Sequence, residues 1–245
     1  MLRLAELESK VTAAFDDLVH DFCRAEVNEY DSVLLGHAGT RTKAEALVRE
    51  ISCRFRSNAD AGMKGQRHNN GFLRLLVFRH PASQASIRLH IWRSESTHQN
   101  DPVIRIHDHR WDFASIGIAG RLRFRNYEAH EDLRGEFDAW HLADADLNGA
   151  KQSSHRSRCS VVQTCMYEIQ QGLLHHLKHN QLHRTDIPSQ YAATLVLTAP
   201  AARPYSRVLR PTEESTQAAG KTPRSLGADE LTCALDEMSD MLRRG

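Results

Sequence analysis

The chain has 245 residues and a formal net charge of +1, with 40% apolar and 26% charged residues. This length suits one well-packed domain with extensions, and the composition argues against intrinsic disorder. The balanced charge argues against nucleic acid or a membrane surface as a partner.

The termini and cysteines indicate the compartment. The N-terminal segment contains acidic residues and no unbroken apolar run, so we predict an amphipathic helix there rather than a signal peptide. No stretch approaches membrane-spanning length. The odd number of cysteines, without CxxC spacing, argues against a disulfide framework and against a cysteine zinc site. We therefore expect a cytoplasmic protein.

Residues 1–70 have a helical pattern of apolar side chains. Leu4, Val11, Phe15, Leu18 and Phe22 recur at helical spacing, and a second such segment runs from Thr42 to Phe55. The pattern predicts an N-terminal helical extension over 1–70, which ends in a loop rich in Gly and Asn.

Residues 71–210 change to short apolar runs separated by polar turns, which predicts a β-barrel domain. The predicted strands are Leu73–Phe78, Ile87–Trp92, Val103–His107, Phe113–Ile118, Leu122–Tyr127, Val161–Ile169 and Ala192–Thr198. Residues 211–245 are predicted to form a linker over Pro211–Gly227 and a short C-terminal helix from Ala228.

The segment IHDHRWDFASIGIAG contains the clearest candidate for a metal site. In a β-strand, residues i and i+2 point to the same face, so His107 and His109 would lie side by side. Neutral imidazole is the commonest metal ligand in proteins. The HxH spacing therefore predicts two ligands to one ion.

The order of these features resembles the cupin superfamily: an HxH pair, an apolar strand ending in glycine, and a later histidine before another apolar strand. This resemblance implies a mainly β fold, a cupin double-stranded β-helix (jelly-roll barrel). Many cupins place a glutamate shortly after the second histidine, where this sequence has Asp112 and Phe113. Without that carboxylate the site resembles the three-histidine thiol dioxygenase branch, typified by cysteine dioxygenase.

The downstream half is also similar to that branch. Tyr167, Ile169 and Gly172, followed by the segment from Leu182 to Pro200, match the part of the family that carries the third histidine. The resemblance implies that His183 is the third ligand. His175 and His176, which follow a glycine turn as ligands do in other cupins, remain alternatives.

One segment departs from the cysteine dioxygenases. They carry Ser, His and Tyr at alternating positions on the strand after the third ligand, where this chain has Thr194, Val196 and Thr198. The acid–base group of that family is therefore absent, which argues against cysteine as the substrate.

The resemblance also suggests residues around the metal. An arginine upstream of the tryptophan strand binds the substrate carboxylate in that family, and by spacing this is Arg74 or Arg79. Trp92 and Tyr167 are candidates to line the pocket, with Tyr167 also a candidate catalytic group. His90 shares a strand face with Trp92 and is a candidate second catalytic or supporting residue.

These features predict an iron(II) dioxygenase. Three neutral imidazoles leave coordination positions open and the charge of a divalent ion uncompensated, which suits a small anionic substrate, thiol or amino-acid-like, with dioxygen as the cosubstrate. Zn²⁺ in a hydrolase or isomerase is the first alternative, and a non-catalytic cupin that binds a small ligand is the second. We expect a monomer or a homodimer.

Overall fold

Antiparallel strands dominate the computed structural model of the chain. It describes residues 33–34, 46, 48–49, 51–53, 64–68, 71–79, 85–93, 106–145, 151–187, 191–214 and 224–244. The predicted helix around Leu4 to Phe22, and residues 103–105 of one predicted strand, lie outside these ranges. Within them the protein is mainly β, which confirms the predicted fold class.

Twelve strands are present in the described residues. They are β1 (Val33–Leu34), β2 (Lys64–Arg67), β3 (Leu73–Arg79), β4 (Ser86–Arg93), β5 (Phe113–Glu131), β6 (Phe137–Ala145), β7 (Lys151–Gln170), β8 (Leu174–Leu177), β9 (Leu182–Asp186), β10 (Tyr191–Thr198), β11 (Tyr205–Pro211) and β12 (Arg224–Ser225). A 3₁₀ helix covers Thr212–Glu214 and the C-terminal helix covers Ala228–Arg244, while residues 46, 48–49 and 51–53 are also helical.

The strand order is that of a jelly roll. One layer, the first sheet, runs β4, β10, the first half of β5, and β8. The other layer, the second sheet, runs from the bridge residue His107 through β9 and the second half of β5 to β7. Two antiparallel sheets in this order form the double-stranded β-helix expected of a cupin.

Further strands widen both layers. β3, β2 and β12 continue the first sheet beyond β4, and β1 pairs with β8 at its other side. β6 and β11 continue the second sheet beyond β7. Seven of the twelve strands in the described residues have no counterpart among the strands predicted from the sequence: β1, β2, β6, β8, β9, β11 and β12.

Gly120 joins the two layers. The sequence predicts separate strands Phe113–Ile118 and Leu122–Tyr127, but the structure has one strand, β5, that bends between the sheets. Gly120 has φ of +66°, in the region that favours glycine. The prediction of two separate strands is therefore wrong, although both predicted segments lie within β5.

We expect Gly120→Ala to destabilise the fold by about 2–3 kcal/mol, because it adds backbone strain and a collision. A Cβ at Gly120 would lie 1.9 Å from the carbonyl oxygen of Tyr191 on β10. Gly227→Ala is the matched control, since nothing lies within 4 Å of its Cβ position. Urea denaturation of both variants measures the difference, and equal stabilities would contradict this role of Gly120.

The two faces of β4 contact different parts of the protein. Ile87, Leu89 and Ile91 are fully buried in an apolar cluster that also contains the buried residues of the C-terminal helix. That helix presents Leu231, Ala234, Leu235 and Met238, whose spacing of three and four places them on one stripe. The C-terminal helix therefore packs on the outer face of the first sheet.

The opposite face of β4 points into the barrel. Trp92 belongs to a second apolar cluster with residues from both sheets, namely Phe72, Phe113, Leu122, Phe124, Ile169, Leu177, Ala192 and Val196. Arg88 and His90 alternate with the buried isoleucine and leucine positions of β4 and so share the side of Trp92. No helix in the described residues has the length and apolar character needed to cross a membrane.

Candidate metal centre

Three histidines meet inside the barrel at one end of the second sheet. His107 and His109 lie in the segment that precedes β5, and His183 lies in β9. The backbones of His107 and His183 form a reciprocal pair of hydrogen bonds of 3.0 and 2.8 Å. One ring nitrogen of each histidine lies within 4.8 Å of the others. The jelly-roll pairing thus unites residues that are far apart in sequence.

The ring nitrogens are suited to bind a cation. The pKa values of His109 and His183 lie well below the usual range, mainly because both rings are buried and secondarily because of the neighbouring imidazoles. Neutral rings are the form that binds metals. Nδ1 of His183 lies 3.1 Å from the carbonyl oxygen of Gln181 and donates to it, which leaves Nε2 as the ligand atom. This donor set fits a divalent transition metal such as iron or zinc.

Asp108, between the two ligands of the HxH segment, anchors that segment. Its side chain is fully buried and forms salt bridges with Arg203 and Arg207. Arg207 donates from Nε at 2.6 Å and from its backbone N–H. Arg203 also donates to the carbonyl oxygen of His109 at 2.9 Å. Because side chains alternate along the segment, Asp108 points away from the two histidines. It points toward Arg203 and Arg207, which hold the segment in place.

Asp112, which stands where many cupins have a glutamate, contacts another residue instead. Its carboxylate accepts hydrogen bonds from the backbone N–H and the ring Nδ1 of His179, at 2.7 and 2.8 Å. Burial alone would raise the pKa of Asp112, but these hydrogen bonds and the charge of Lys178 hold it below its usual value. Asp112 is not a member of the three-histidine group, in agreement with a site made of imidazoles.

The two alternative third ligands do not belong to the group either. His175 is fully buried on β8, and its Nε2 lies 2.9 Å from the hydroxyl of Tyr167. His176 follows on the same strand and so points to the opposite face of the sheet. The structure therefore brings His183, and neither of these residues, to the HxH pair.

Aromatic side chains surround the three histidines. The ring centre of Trp111 lies 5.9 Å from that of His109 in a stacked arrangement, and Phe113 meets His109 at 5.0 Å, edge to face. Phe124 stacks at 6.1 Å from His183. These rings make the surroundings of the histidines apolar, which strengthens electrostatic interactions there.

Arg88 is the residue near the site that sequence reasoning missed. Its guanidinium lies 5.0 Å from the ring centre of Trp111, which in turn stacks on His109. No hydrogen bond or salt bridge joins Arg88 to another residue in the part of the chain that the structure describes. Burial lowers the pKa of Arg88 to about 9, and the positive charges of Arg74, Arg79 and Arg110 add to this effect. The sequence could have identified Arg88, because it lies at the same alternating positions of β4 as His90 and Trp92.

The other residues predicted to lie around the metal are Arg74, Arg79, His90 and Trp92. Arg74 shares the interior side of its strand and donates to Oε1 of Gln66 at 2.5 Å, whereas Arg79 is exposed at the end of β3. His90 packs between Phe72, at 4.6 Å, and Trp92, at 5.5 Å. Burial is the main reason that the pKa of His90 lies well below its usual value. His90 and Trp92 are thus packed together on the first sheet.

No protein-family model matches this sequence, and no protein of curated function matches it. Among solved structures, the chain is similar over 50% of its length to 63% of hydroquinone 1,2-dioxygenase from Sphingomonas sp. TTNP3 with 4-hydroxybenzoate bound, at 10% identity and a TM-score of 0.28. Protein SO0799 from Shewanella oneidensis matches over 73% of this chain and 89% of its own, at 8% identity and a TM-score of 0.26.

A third solved structure, hydroxypropylphosphonic acid epoxidase from S. wedmorenis, matches over 56% of this chain and 55% of its own, at 5% identity and a TM-score of 0.26. The matches thus span less than two thirds of the dioxygenase and of the epoxidase. TM-scores this low establish neither a shared activity nor a shared substrate.

Proposed function

We propose that this protein is a mononuclear non-haem iron(II) oxygenase of the cupin type, which uses dioxygen to oxidise a small anionic substrate. The observation that carries the proposal is the group of His107, His109 and His183, whose ligand atoms lie within 4.8 Å of one another inside the barrel. Iron(II) held by three neutral imidazoles would supply the redox chemistry that dioxygen needs, with positions open for both reactants.

Arg88 supports the choice of an anionic substrate. A guanidinium carries five N–H donors, and one that forms no ion pair with any described residue, in partly buried surroundings, favours a carboxylate or a similar anion. The guanidinium of Arg88 lies 5.0 Å from the ring centre of Trp111, which lies 5.9 Å from that of His109. The guanidinium is therefore at most about 11 Å from the centre of the His109 ring. A molecule of amino-acid size can span such a distance.

The aromatic residues would orient the substrate and exclude water. Trp111 and Phe113 both contact His109, and Phe124 contacts His183, so apolar walls adjoin two of the three ligands. Excluding water protects an oxidation from side reactions and strengthens the attraction between Arg88 and an anion. The binding energy at Arg88 would hold the rest of the substrate against the metal.

Elemental analysis and oxygen uptake test this function. The untagged protein is purified, reconstituted anaerobically with iron(II), and assayed with thiol carboxylates, amino acids and their neutral amides. We expect about one iron per chain and oxygen uptake with carboxylates but not with the amides. Uptake that needs no substrate, or zinc in the purified protein together with hydrolysis that continues without oxygen, would contradict an oxygenase.

Replacing Arg88 with methionine should raise the KM for the anionic substrate by about 30-fold or more, the range for losing one partner of a largely desolvated charge pair. Iron content should not change, since Arg88 does not belong to the ligand group. Arg79→Met is the matched control because Arg79 is exposed. Steady-state oxygen uptake measures both variants, and an unchanged KM in Arg88→Met would exclude this anchor.

A further inference from the structure

A side-chain hydrogen bond joins the two sheets between β7 and β8, which follow one another in the chain. The hydroxyl of Tyr167, on β7 of the second sheet, lies 2.9 Å from Nε2 of His175, on β8 of the first sheet. Tyr167 is partly exposed, whereas His175 is completely buried. The pair therefore joins a partly accessible phenol to a buried imidazole.

The surroundings of His175 favour one of its two neutral tautomers. Its ring centre lies 4.2 Å from that of Phe124 and 5.7 Å from that of Phe113. Burial lowers the pKa of His175 to about 3, with a smaller contribution from His176, so the ring is neutral and has a single N–H. Nδ1 is buried and has no hydrogen-bond partner within the described residues.

An unpartnered N–H inside a protein is rarer than an unpartnered acceptor. The favoured tautomer of His175 therefore leaves Nδ1 as a bare lone pair among the phenyl rings. In this tautomer the proton lies on Nε2, and the Nε2–H group donates a hydrogen bond to the phenol oxygen of Tyr167. The hydroxyl proton of Tyr167 is then directed away from His175.

This arrangement favours loss of the Tyr167 proton. A donor aimed at the phenol oxygen stabilises the phenolate more than the neutral phenol, because a charged acceptor forms the stronger hydrogen bond. An ordinary tyrosine has a pKa of about 10. His175 thus supplies Tyr167 with a fixed neutral partner for its charged form.

The pair adjoins two rings, Phe113 and Phe124, that also contact the metal ligands. Phe113 contacts His109 at 5.0 Å and His183 at 6.1 Å, and the ring of Phe124 lies 6.1 Å from that of His183. Phe113 and Phe124 are also the rings that pack on His175. Two titratable groups interact electrostatically with His175: His183, across these rings, and His176, which follows it on β8.

We propose that Tyr167 and His175 form the acid–base pair of the reaction. In the step, the O–H bond of Tyr167 breaks, its electron pair stays on the oxygen, and the proton passes to an oxygen or nitrogen of the substrate. The Nε2–H of His175 donates to the resulting phenolate, and the proton is restored from solvent. Tyr167 is the catalytic residue and His175 positions it. This inference rests on the proposed function.

Tyr167 and His175 supply a proton donor and its partner, which β10 lacks. Three alternating positions of β10 carry Thr194, Val196 and Thr198. None of these side chains titrates near neutral pH. Tyr167 and His175 place a proton donor and its partner on β7 and β8 instead.

Titration of Tyr167 tests the pair without any turnover. The full-length protein, loaded with diamagnetic Zn²⁺, is labelled with [¹³Cζ]tyrosine, and Tyr167→Phe assigns the Tyr167 signal among the 5 tyrosines. We expect Tyr167 to titrate below the other tyrosines. His175→Phe should raise its midpoint by about one pH unit or more, because the donor is lost.

His175→Gln keeps an N–H near the position of Nε2 and should restore part of the shift. His176→Gln is the control and should leave the midpoint unchanged. A Tyr167 midpoint that is the same in the unmodified protein and in His175→Phe would overturn the pair. So would a wild-type midpoint above those of the other tyrosines, a result that does not depend on the folding of any histidine variant.

Oxygen uptake then separates this inference from the proposed function. Tyr167→Phe should lower kcat by about 100-fold or more, the usual range for a lost acid or base, with iron content unchanged. His175→Gln should shift the pH profile of kcat toward that of an unassisted tyrosine. Full activity in Tyr167→Phe would overturn the pair and leave the oxygenase intact, whereas an absence of oxygen uptake in the unmodified protein would reject the oxygenase itself.

Discussion

Replacing His183 with alanine is expected to lower the affinity for iron(II) by more than about 100-fold, which is the upper range for losing a residue that only supports a ligand. His183 supplies one of three ring nitrogens, and its Nδ1 is already committed to the carbonyl of Gln181. Two imidazoles in the HxH segment cannot replace it, because no carboxylate joins the group within the described residues. Competition with a fluorescent chelator measures the affinity.

His175→Ala and His176→Ala are the matched controls for this variant. Both residues were alternative third ligands, and both are buried like His183. Neither lies in the three-histidine group, so each variant should retain about one equivalent of metal. Metal retained after His183→Ala but lost after either control would show that a different histidine completes the site.

Asp108→Ala is expected to lower the free energy of unfolding by about 3 kcal/mol, the lower end of the range for removing one partner of a buried ion pair. The lower end applies because Arg203 and Arg207 keep 17% and 32% of their side-chain surface exposed, while Asp108 keeps 0%. The affinity for iron(II) should also fall, by about 10- to 100-fold, since the anchored segment carries two ligands. Urea denaturation and chelator competition measure the two effects.

Glu168→Gln is the control for Asp108. Glu168 accepts from Arg123 at 2.7 Å, but both side chains are about one-third exposed. The loss of such a pair should cost no more than about 1 kcal/mol and should leave the metal affinity unchanged. If Asp108→Ala and Glu168→Gln were equally stable and bound metal equally well, the anchoring role of Asp108 would be wrong.

Local patterns in the sequence were sufficient for the fold class and for two of the three histidines of the candidate metal site. The period of two in strands such as Ile87–Trp92 depends only on neighbouring residues, so it could be read directly. The same period places His107 and His109 on one face without any knowledge of the partner strands. β8 and β9, at 4 and 5 residues, are too short to show a pattern and were missed.

The tertiary structure decided which of these segments lie against one another. Residues 175–183 contain four histidines, and three of them, His175, His176 and His183, were candidates for the third ligand. The pairing of β9 with both β5 and the His107 segment brings His183 to the HxH pair, and the alternation of β8 sends His175 to Tyr167 instead.

The sequence by itself thus determined a mainly β chain with a two-histidine segment, because side-chain alternation is a local property of an extended backbone. Only the tertiary structure decided that the polar face of β4 lies inside the barrel, where Arg88 approaches Trp111. The sequence showed two faces but not which one the C-terminal helix would cover. That choice depends on contacts between segments far apart in the chain, such as Leu235 against the outer face of the first sheet, and such contacts leave no periodic signal.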